Sequence, residues 1–208
     1  MKSYTLRSFL KVTSIALVTG LLFTSCGSSP AKDKKNKMIV SVKDQTMLLT
    51  KNGKPVKAYK VSTSKFGLGN TRNSKKTPLG RMEIAKKIGG GSRSGTVFKS
   101  RRKTGEILKP NTRGRDPIVT RIMWLKGNEY RNRNTYRRYI YIHGTPAEHK
   151  IGRPASYGCI RMKSRDVIDL YRRVGVGAEV KIIYDHLYNT RVGRKSAAVL
   201  RKTYYGGA

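Results

Sequence analysis

Short runs in which apolar and polar residues alternate recur along the chain from residue 38 onward. Alternation of this kind is typical of β-strands that bury one face. It predicts strands at 38–43 and 56–63, and further strand-like runs lie at 47–50, 81–85, 118–125, 138–142 and 179–184. Between 47–50 and 56–63, Asn52-Gly53 is a hairpin signal because both residues tolerate positive φ. The pattern therefore predicts a mostly β domain that begins with a meander.

Only the segment 164–174 has the spacing of an amphipathic helix. The apolar side of this helix would consist of Val167, Ile168, Leu170, Tyr171 and Val174. Asp166 falls in the first turn, where the helix dipole favours a negative charge, and Gly175 is a suitable stop.

Two long segments lack a regular pattern. Residues 89–117 are rich in Gly, Ser, Thr and Arg, with short apolar islands at 97–98 and 107–108. An irregular segment of this length is often a lid or a binding loop, and a simple surface insertion is the alternative. Residues 186–208 contain no acidic residue. We predict that they form a basic, loosely ordered tail with some helix near its middle.

The N-terminus has the pattern of an export signal. A basic start without acidic residues precedes an apolar stretch that is too short for a confident membrane span. We predict a secretory signal peptide at 1–25. The small residues before Cys26 are typical of a lipoprotein signal, in which this cysteine is lipidated, and ordinary signal cleavage nearby is the alternative. Residues 26–37 are a polar tether. We therefore expect a protein of the bacterial cell envelope, lipid-anchored at Cys26 and facing the periplasm or the wall.

The charge balance is strongly basic, with 46 Lys and Arg against 11 Asp and Glu and a net charge of +35. In a cytosolic chain this excess would indicate a nucleic-acid partner. The export signal argues against nucleic acid and favours anionic envelope polymers or lipid headgroups. A basic surface without a specific partner is an equally good explanation.

The candidate chemistry lies in one of the three histidines and one of the two cysteines. If Cys26 carries a lipid, Cys159 is a lone thiol in an exported protein, which suggests reactivity or intermolecular pairing. A thiol becomes a good nucleophile when a neighbouring imidazole takes its proton. His143 follows the strand-like run 138–142, and Cys159 lies sixteen residues later. This spacing allows the two side chains to meet across neighbouring strands. The alternative is a buried structural cysteine and an ordinary surface histidine.

These residues resemble the catalytic domain of bacterial L,D-transpeptidases. The resemblance covers residues 38–184 and rests on Thr77-Pro78-Leu79-Gly80, on Tyr139 to Thr145 with its His143-Gly144, and on Ser156-Tyr157-Gly158-Cys159-Ile160-Arg161-Met162. Many family members have a second histidine where this chain has Tyr157. We therefore expect a catalytic domain at 38–185, preceded by the tether and followed by the tail at 186–208. The resemblance implies a β-sandwich with one short amphipathic helix after the cysteine.

The resemblance also implies a reaction on peptidoglycan stem peptides. His143 would take the proton of Cys159, and the sulfur would attack the bond between the L-centre of a stem tetrapeptide and D-Ala. An amine of a second stem would then resolve the thioester and form a 3→3 cross-link. The family implies an oxyanion hole from backbone amides near Tyr157, Gly158 and Cys159.

The remaining roles are expectations of the same kind. The region of Ser156 would orient His143, and Gly144 and Thr145 would contribute to substrate binding. Arg161 would hold a substrate carboxylate or support the site, and a structural arginine–carboxylate pair is the alternative. No cluster of His, Cys or carboxylates has the spacing of metal ligands, so we predict no metal and no cofactor.

Three other functions remain open. Water could resolve the thioester, which would give an L,D-carboxypeptidase, and a lysine of another protein could attach that protein to the wall. From a different class, the chain could be a catalytically inactive lipoprotein that binds the wall. The acceptor site has no motif that separates the first two possibilities, and intact His143 and Cys159 argue against the third.

Overall fold

The computed structural model describes residues 31–205, which form one compact unit from Lys32 onward. The strands are β1 (Asn36–Ser41), β2 (Thr46–Lys51), β3 (Lys54–Lys60), β4 (Gly80–Ile88), β5 (Thr96–Lys99), β6 (Arg102–Ile107), β7 (Ile118–Gly127), β8 (Tyr141–Gly144), β9 (Ile160–Met162) and β10 (Glu179–Ile183). The helices are α1 (Ser164–Arg173), α2 (Arg191–Arg194) and α3 (Ala197–Tyr205). The predicted mostly β fold is confirmed, and two short helices join the expected one.

The strands belong to one ten-stranded sheet with the order β3-β2-β1-β10-β4-β7-β5-β6, and β8 and β9 branch from β7. β1 to β3 form the predicted meander, and Asn52 and Gly53 have φ of 50° and 75° in its turn. β10 returns to pair with β1 in parallel and with β4 in antiparallel orientation. The chain therefore closes its sheet with its last strand between the first and the fourth.

One main core holds the sheet together. Side chains of β1 to β3, such as Met38 and Tyr59, pack in the same cluster as Ile142 of β8 and Ile160 of β9. Strands from distant parts of the sheet thus face one another across a common interior, as in a sandwich. Apolar residues of α1, including Leu170, complete this core.

The segment 89–117 is more regular than its composition indicates. It contains the antiparallel hairpin of β5 and β6, and β5 also pairs with β7. Val97 and Phe98 are buried, whereas β6 is largely exposed. The prediction of an irregular loop was wrong for this part because a single buried dipeptide anchors the hairpin.

The segment after Tyr184 is also more ordered than predicted. Leu187 and Leu200 are buried in a small cluster with Leu48 and Ala58 of the meander. This burial explains why α2 and α3 pack on the sheet instead of forming a loose tail. The predicted helix near residues 197–200 lies within α3.

Two further differences lie close to the His143 and Cys159 motifs of the sequence. The strand predicted at 138–142 begins only at Tyr141, because Tyr139 has a φ of 57° in a turn. The three-residue β9 was not predicted as a strand. The predicted signal peptide and Cys26 lie outside the described residues. No helix within the described part of the chain is long and apolar enough to cross a membrane.

Candidate active site

His143 and Cys159 lie on adjacent strands and on the same face of the sheet. The parallel pair β8–β9 aligns Ile142 with Ile160 and His143 with Arg161. Both isoleucines point into the main core, so alternation directs the neighbouring side chains to the opposite face. Cys159 immediately precedes β9 and therefore faces the same side as His143, two residues away in register. This register is compatible with the meeting of the two side chains that the sequence spacing predicts.

The imidazole of His143 is buried, with 5% exposure, and is held by its own strand. Its Nδ1 lies 2.8 Å from the carbonyl oxygen of Gly144. Because a carbonyl only accepts, Nδ1 carries the hydrogen and Nε2 keeps a lone pair. Burial lowers the pKa of His143 to about 4, an effect that the Gly144 hydrogen bond opposes only in part. The imidazole is therefore neutral at physiological pH and can act as a base.

The sulfur of Cys159 sits between two backbone groups of the preceding turn and strand. The amide of Tyr141 donates to Sγ over 3.4 Å, and the Sγ hydrogen points to the carbonyl of Tyr139 at 3.5 Å. Burial of the sulfur raises the pKa of Cys159 to about 11, against the influence of the Tyr141 amide and of Arg161 and Arg138. At rest the thiol and the imidazole are thus both neutral.

A tight turn precedes Cys159. The hydroxyl of Ser156 donates to the carbonyl of Cys159 over 2.6 Å and accepts from the amide of Gly158 at 3.1 Å. Gly158 has a φ of 118°, which favours glycine. Within the described residues, the amides of Tyr157 and Cys159 have no hydrogen-bond partner. These two amides are therefore available to a substrate, whereas that of Gly158 is used inside the turn.

Ser156 differs from its expected role. The group at Nδ1 of His143 is the Gly144 carbonyl, while the Ser156 hydroxyl is committed to the turn that holds Cys159. Gly144 itself leaves no room for a side chain, since a Cβ there would lie 2.7 Å from the carbonyl oxygen of Val119. In the structure Gly144 contributes the carbonyl that accepts from His143 and the close approach of its backbone to Val119.

Thr77 supports the cysteine turn from the first part of the chain. Its buried hydroxyl donates to the carbonyl of Gly158 and accepts from the amide of Ser64, each over 3.0 Å. The amide of Lys65 donates to the carbonyl of Ser156 at 3.1 Å. The loop between β3 and β4 is therefore bonded to the turn at several points.

Arg161 forms an ion pair with Asp116, a partner that was not predicted from the sequence. Its Nη1 lies 2.8 Å from Oδ2 of Asp116 without a hydrogen bond between them. The other oxygen of Asp116 accepts from the Thr145 hydroxyl at 2.7 Å. Arg161 and Thr145 are both buried and share this carboxylate. The structural arginine–carboxylate pair, which was the alternative role of Arg161, is therefore present. The sequence carries no signal for this partner, because Asp116 is 45 residues before Arg161 and only the fold brings the two together.

An open cleft lies beside Tyr139, whose carbonyl accepts from the Cys159 thiol. It has a volume of about 510 Å³ and is lined by Arg72, Trp124, Asn134, Tyr136, Arg137, Arg138 and Tyr139. Trp124 stacks on Tyr136 with ring centroids 4.2 Å apart. On the other side of the turn Tyr157 is 54% exposed, beside Phe66. No group of three potential metal ligands occurs in the part of the chain that the structure describes.

Residues 35–182 match the YkuD family, described as the L,D-transpeptidase catalytic domain. YqjB of Bacillus subtilis (strain 168), named as a candidate L,D-transpeptidase, is 33% identical over 70 residues. That alignment covers 34% of this chain and 40% of the relative.

Solved structures with a similar fold include L,D-transpeptidase 3 from Mycobacterium tuberculosis, at 16% identity and a TM-score of 0.48, covering 72% of this chain and 61% of that one. An L,D-transpeptidase from Mycobacterium smegmatis has 17% identity and a TM-score of 0.45, with 72% and 58% covered. The chain thus spans about three fifths of these solved chains. The family match extends over most of the chain and includes both His143 and Cys159, so the protein belongs to the YkuD family of L,D-transpeptidase catalytic domains.

Proposed function

We propose that the protein is a peptidoglycan L,D-transpeptidase in which Cys159 is the nucleophile and His143 is the base. The observation that carries this proposal is the placement of both side chains on one face of the β8–β9 pair, with the lone pair of His143 Nε2 left available. Membership of the L,D-transpeptidase family supplies the reaction class.

In the proposed first half-reaction, His143 Nε2 takes the thiol proton while Sγ of Cys159 attacks the carbonyl of the third stem residue, an L-configured centre. Because both groups are neutral at rest, proton transfer and attack proceed together and no thiolate accumulates. The oxygen of the tetrahedral intermediate is stabilised by the amides of Tyr157 and Cys159. His143 then returns the proton to the nitrogen of D-Ala, which leaves and yields a thioester.

The second half-reaction reverses these roles. An amine of another stem attacks the thioester carbonyl, His143 accepts the amine proton, and the Cys159 thiol is regenerated with that proton. The product is a 3→3 cross-link. Water as the acceptor would give a tripeptide, and a lysine of an envelope protein would give a protein conjugate by the same intermediate.

Analysis of the products tests this proposal. The purified protein and its Cys159→Ala variant are incubated with a stem tetrapeptide muropeptide, and free D-Ala and peptide products are quantified. We expect D-Ala release and a cross-linked dimer from the wild type only. Equal D-Ala release by the variant would contradict the role of Cys159. A folded wild type that releases none would favour a wall-binding protein without activity.

We also propose that the protein is exported and anchored by a lipid at Cys26. Cys26→Ala should move the protein from the membrane fraction to the soluble fraction of the cell. Unchanged fractionation would contradict the anchor.

The net charge of +35 supports attraction to anionic envelope polymers. Binding to purified sacculi should weaken as ionic strength rises, because salt screens exposed charges over distances of about 10 Å at 0.1 M. Binding that does not respond to salt would exclude this electrostatic contribution.

A further inference from the structure

An exposed group of two aromatic rings and two lysines adjoins the cysteine turn. The rings of Phe66 and Tyr157 are 42% and 54% exposed, and their centroids lie 5.4 Å apart. The ammonium of Lys65 lies 4.9 Å from the Tyr157 centroid and 5.2 Å from that of Phe66. The ammonium of Lys75 lies 5.7 Å from each. We call these four residues the aromatic–lysine patch.

The positive charge of the patch is not balanced within the protein. Among the described residues, neither Lys65 nor Lys75 forms an ion pair with a carboxylate. The segments that build the patch, 60–80 and 149–165, contain no Asp or Glu. Two ammonium groups therefore converge on the same pair of rings with only the weak compensation of the ring faces. An anion bound at the patch would supply the counter-charge that these two ammonium groups lack among the described residues.

The patch is fixed to the backbone that carries Cys159. The amide of Lys65 bonds to the carbonyl of Ser156, and the Ser64 hydroxyl donates to the carbonyl of Lys75 over 2.6 Å. Lys75 has a φ of 57°, which is uncommon for a lysine and is maintained by these contacts. Tyr157 itself is two residues before Cys159. The patch is thus held in place beside the nucleophile.

We propose that the aromatic–lysine patch is a specificity subsite that binds a carboxylate of the substrate peptide, an inference that rests on the function proposed above. The two ammonium groups supply the charge, and the ring faces shield one side of the carboxylate from water and contact the adjoining peptide. Tyr157 therefore takes part in substrate recognition at a position where many relatives have histidine.

A binding measurement tests the subsite without requiring chemistry. Full-length Cys159→Ala protein is titrated calorimetrically with a stem tetrapeptide, with the same peptide amidated at its C-terminus, and with the peptide amidated at its other carboxylates. An exposed ion pair contributes about threefold in affinity, and because such factors multiply, the two lysines together should contribute roughly tenfold. We expect one of the amidations to weaken binding by that factor, which also identifies the carboxylate.

Substitutions within the patch test whether Lys65 and Lys75 are the residues that bind the carboxylate. Adding Lys65→Gln and Lys75→Gln should weaken binding of the unmodified peptide by the same factor and abolish the sensitivity to amidation. The control variant Lys51→Gln with Lys54→Gln removes the same amount of charge at the β2–β3 turn. It should change neither the affinity for the unmodified peptide nor the sensitivity to amidation. Tyr157→Phe should retain binding and Tyr157→Ala should weaken it. Melting temperatures establish that all variants are folded.

Two results would overturn the subsite: no binding of any peptide, or equal sensitivity to amidation with and without Lys65 and Lys75. Because Cys159 is absent from these samples, the outcome is separate from that of the reaction. If the peptide binds but the wild type forms no thioester, the proposed reaction is contradicted and the subsite stands. If the wild type turns over the peptide but amidation does not change its binding, the reaction stands and the subsite is contradicted.

Discussion

The carboxylate of Asp116 offers a sharp test of how the site is supported. It lies 2.8 Å from the buried guanidinium of Arg161 and accepts the Thr145 hydroxyl at 2.7 Å. The substitution Asp116→Asn keeps the size and one acceptor oxygen but removes the negative charge. The guanidinium, whose side chain is 7% exposed, would then face a neutral amide without a counter-ion.

The expected loss of stability follows from the burial of the two partners. Breaking a fully buried ion pair costs about 3–5 kcal/mol. The side chain of Asp116 is 29% exposed, so solvent screening reduces this to about 2 kcal/mol. For a domain of this size each kcal/mol shifts the melting temperature by about 2–4 °C. Asp116→Asn should therefore lower it by about 4–8 °C.

Differential scanning calorimetry at pH 7 measures this change. The matched control is Glu106→Gln, which removes a carboxylate 2.8 Å from Arg115 where both side chains are exposed. An exposed pair contributes about 0–1 kcal/mol, so the control should shift the melting temperature by less than about 4 °C. Equal shifts for the two variants would refute the argument that burial of Arg161 gives its ion pair a greater effect.

Three further predictions concern the cysteine turn and its neighbours. Thr77→Val should reduce the free energy of unfolding in urea by about 1–3 kcal/mol, because the Gly158 carbonyl loses a buried donor; an unchanged midpoint would contradict this. Gly144→Ala should lower the free energy of unfolding by about 1–3 kcal/mol and reduce turnover, because its Cβ would lie 2.7 Å from the Val119 carbonyl oxygen. A variant with wild-type stability and wild-type turnover would contradict this. The iodoacetamide reaction of Cys159 should accelerate about tenfold per pH unit toward a pKa of about 11, because burial disfavours the thiolate. A plateau by pH 8 would show that the thiol is not buried in this way.

Much of the fold follows from local patterns. Alternation marks β1 and β3, and other strand-like runs mark β2, β4, β7 and β10, because each is long enough to carry a pattern. β9 has only three residues, so no period can appear, and its strand character comes from pairing with β8. The hairpin of β5 and β6 was missed for a related reason, since its stability depends on contact with β7 rather than on its own composition.

Some features of the candidate site could likewise be predicted from the sequence, and others depend on the fold. The placement of His143 and Cys159 at neighbouring strands could be predicted because a single connection, residues 145–159, joins those strands. The contribution of Asp116 could not be read directly, because it approaches from a distant segment and only the fold brings it to Arg161. The neutral resting state of the pair also depends on burial, which the sequence does not show. The left-handed conformation of Tyr139, which delays the start of β8, is hidden in a run of residues that favour strands.

The central claim is that Cys159 forms a thioester with a stem peptide, and intact-mass spectrometry of the protein tests it most directly. The wild type is mixed with a stem tetrapeptide, quenched in acid and weighed beside Cys159→Ala. The account predicts that the wild type gains the mass of the peptide without its D-Ala, that the added mass maps to Cys159, and that the variant gains nothing. A folded wild type that gains no mass, or an adduct that persists in Cys159→Ala, would contradict it.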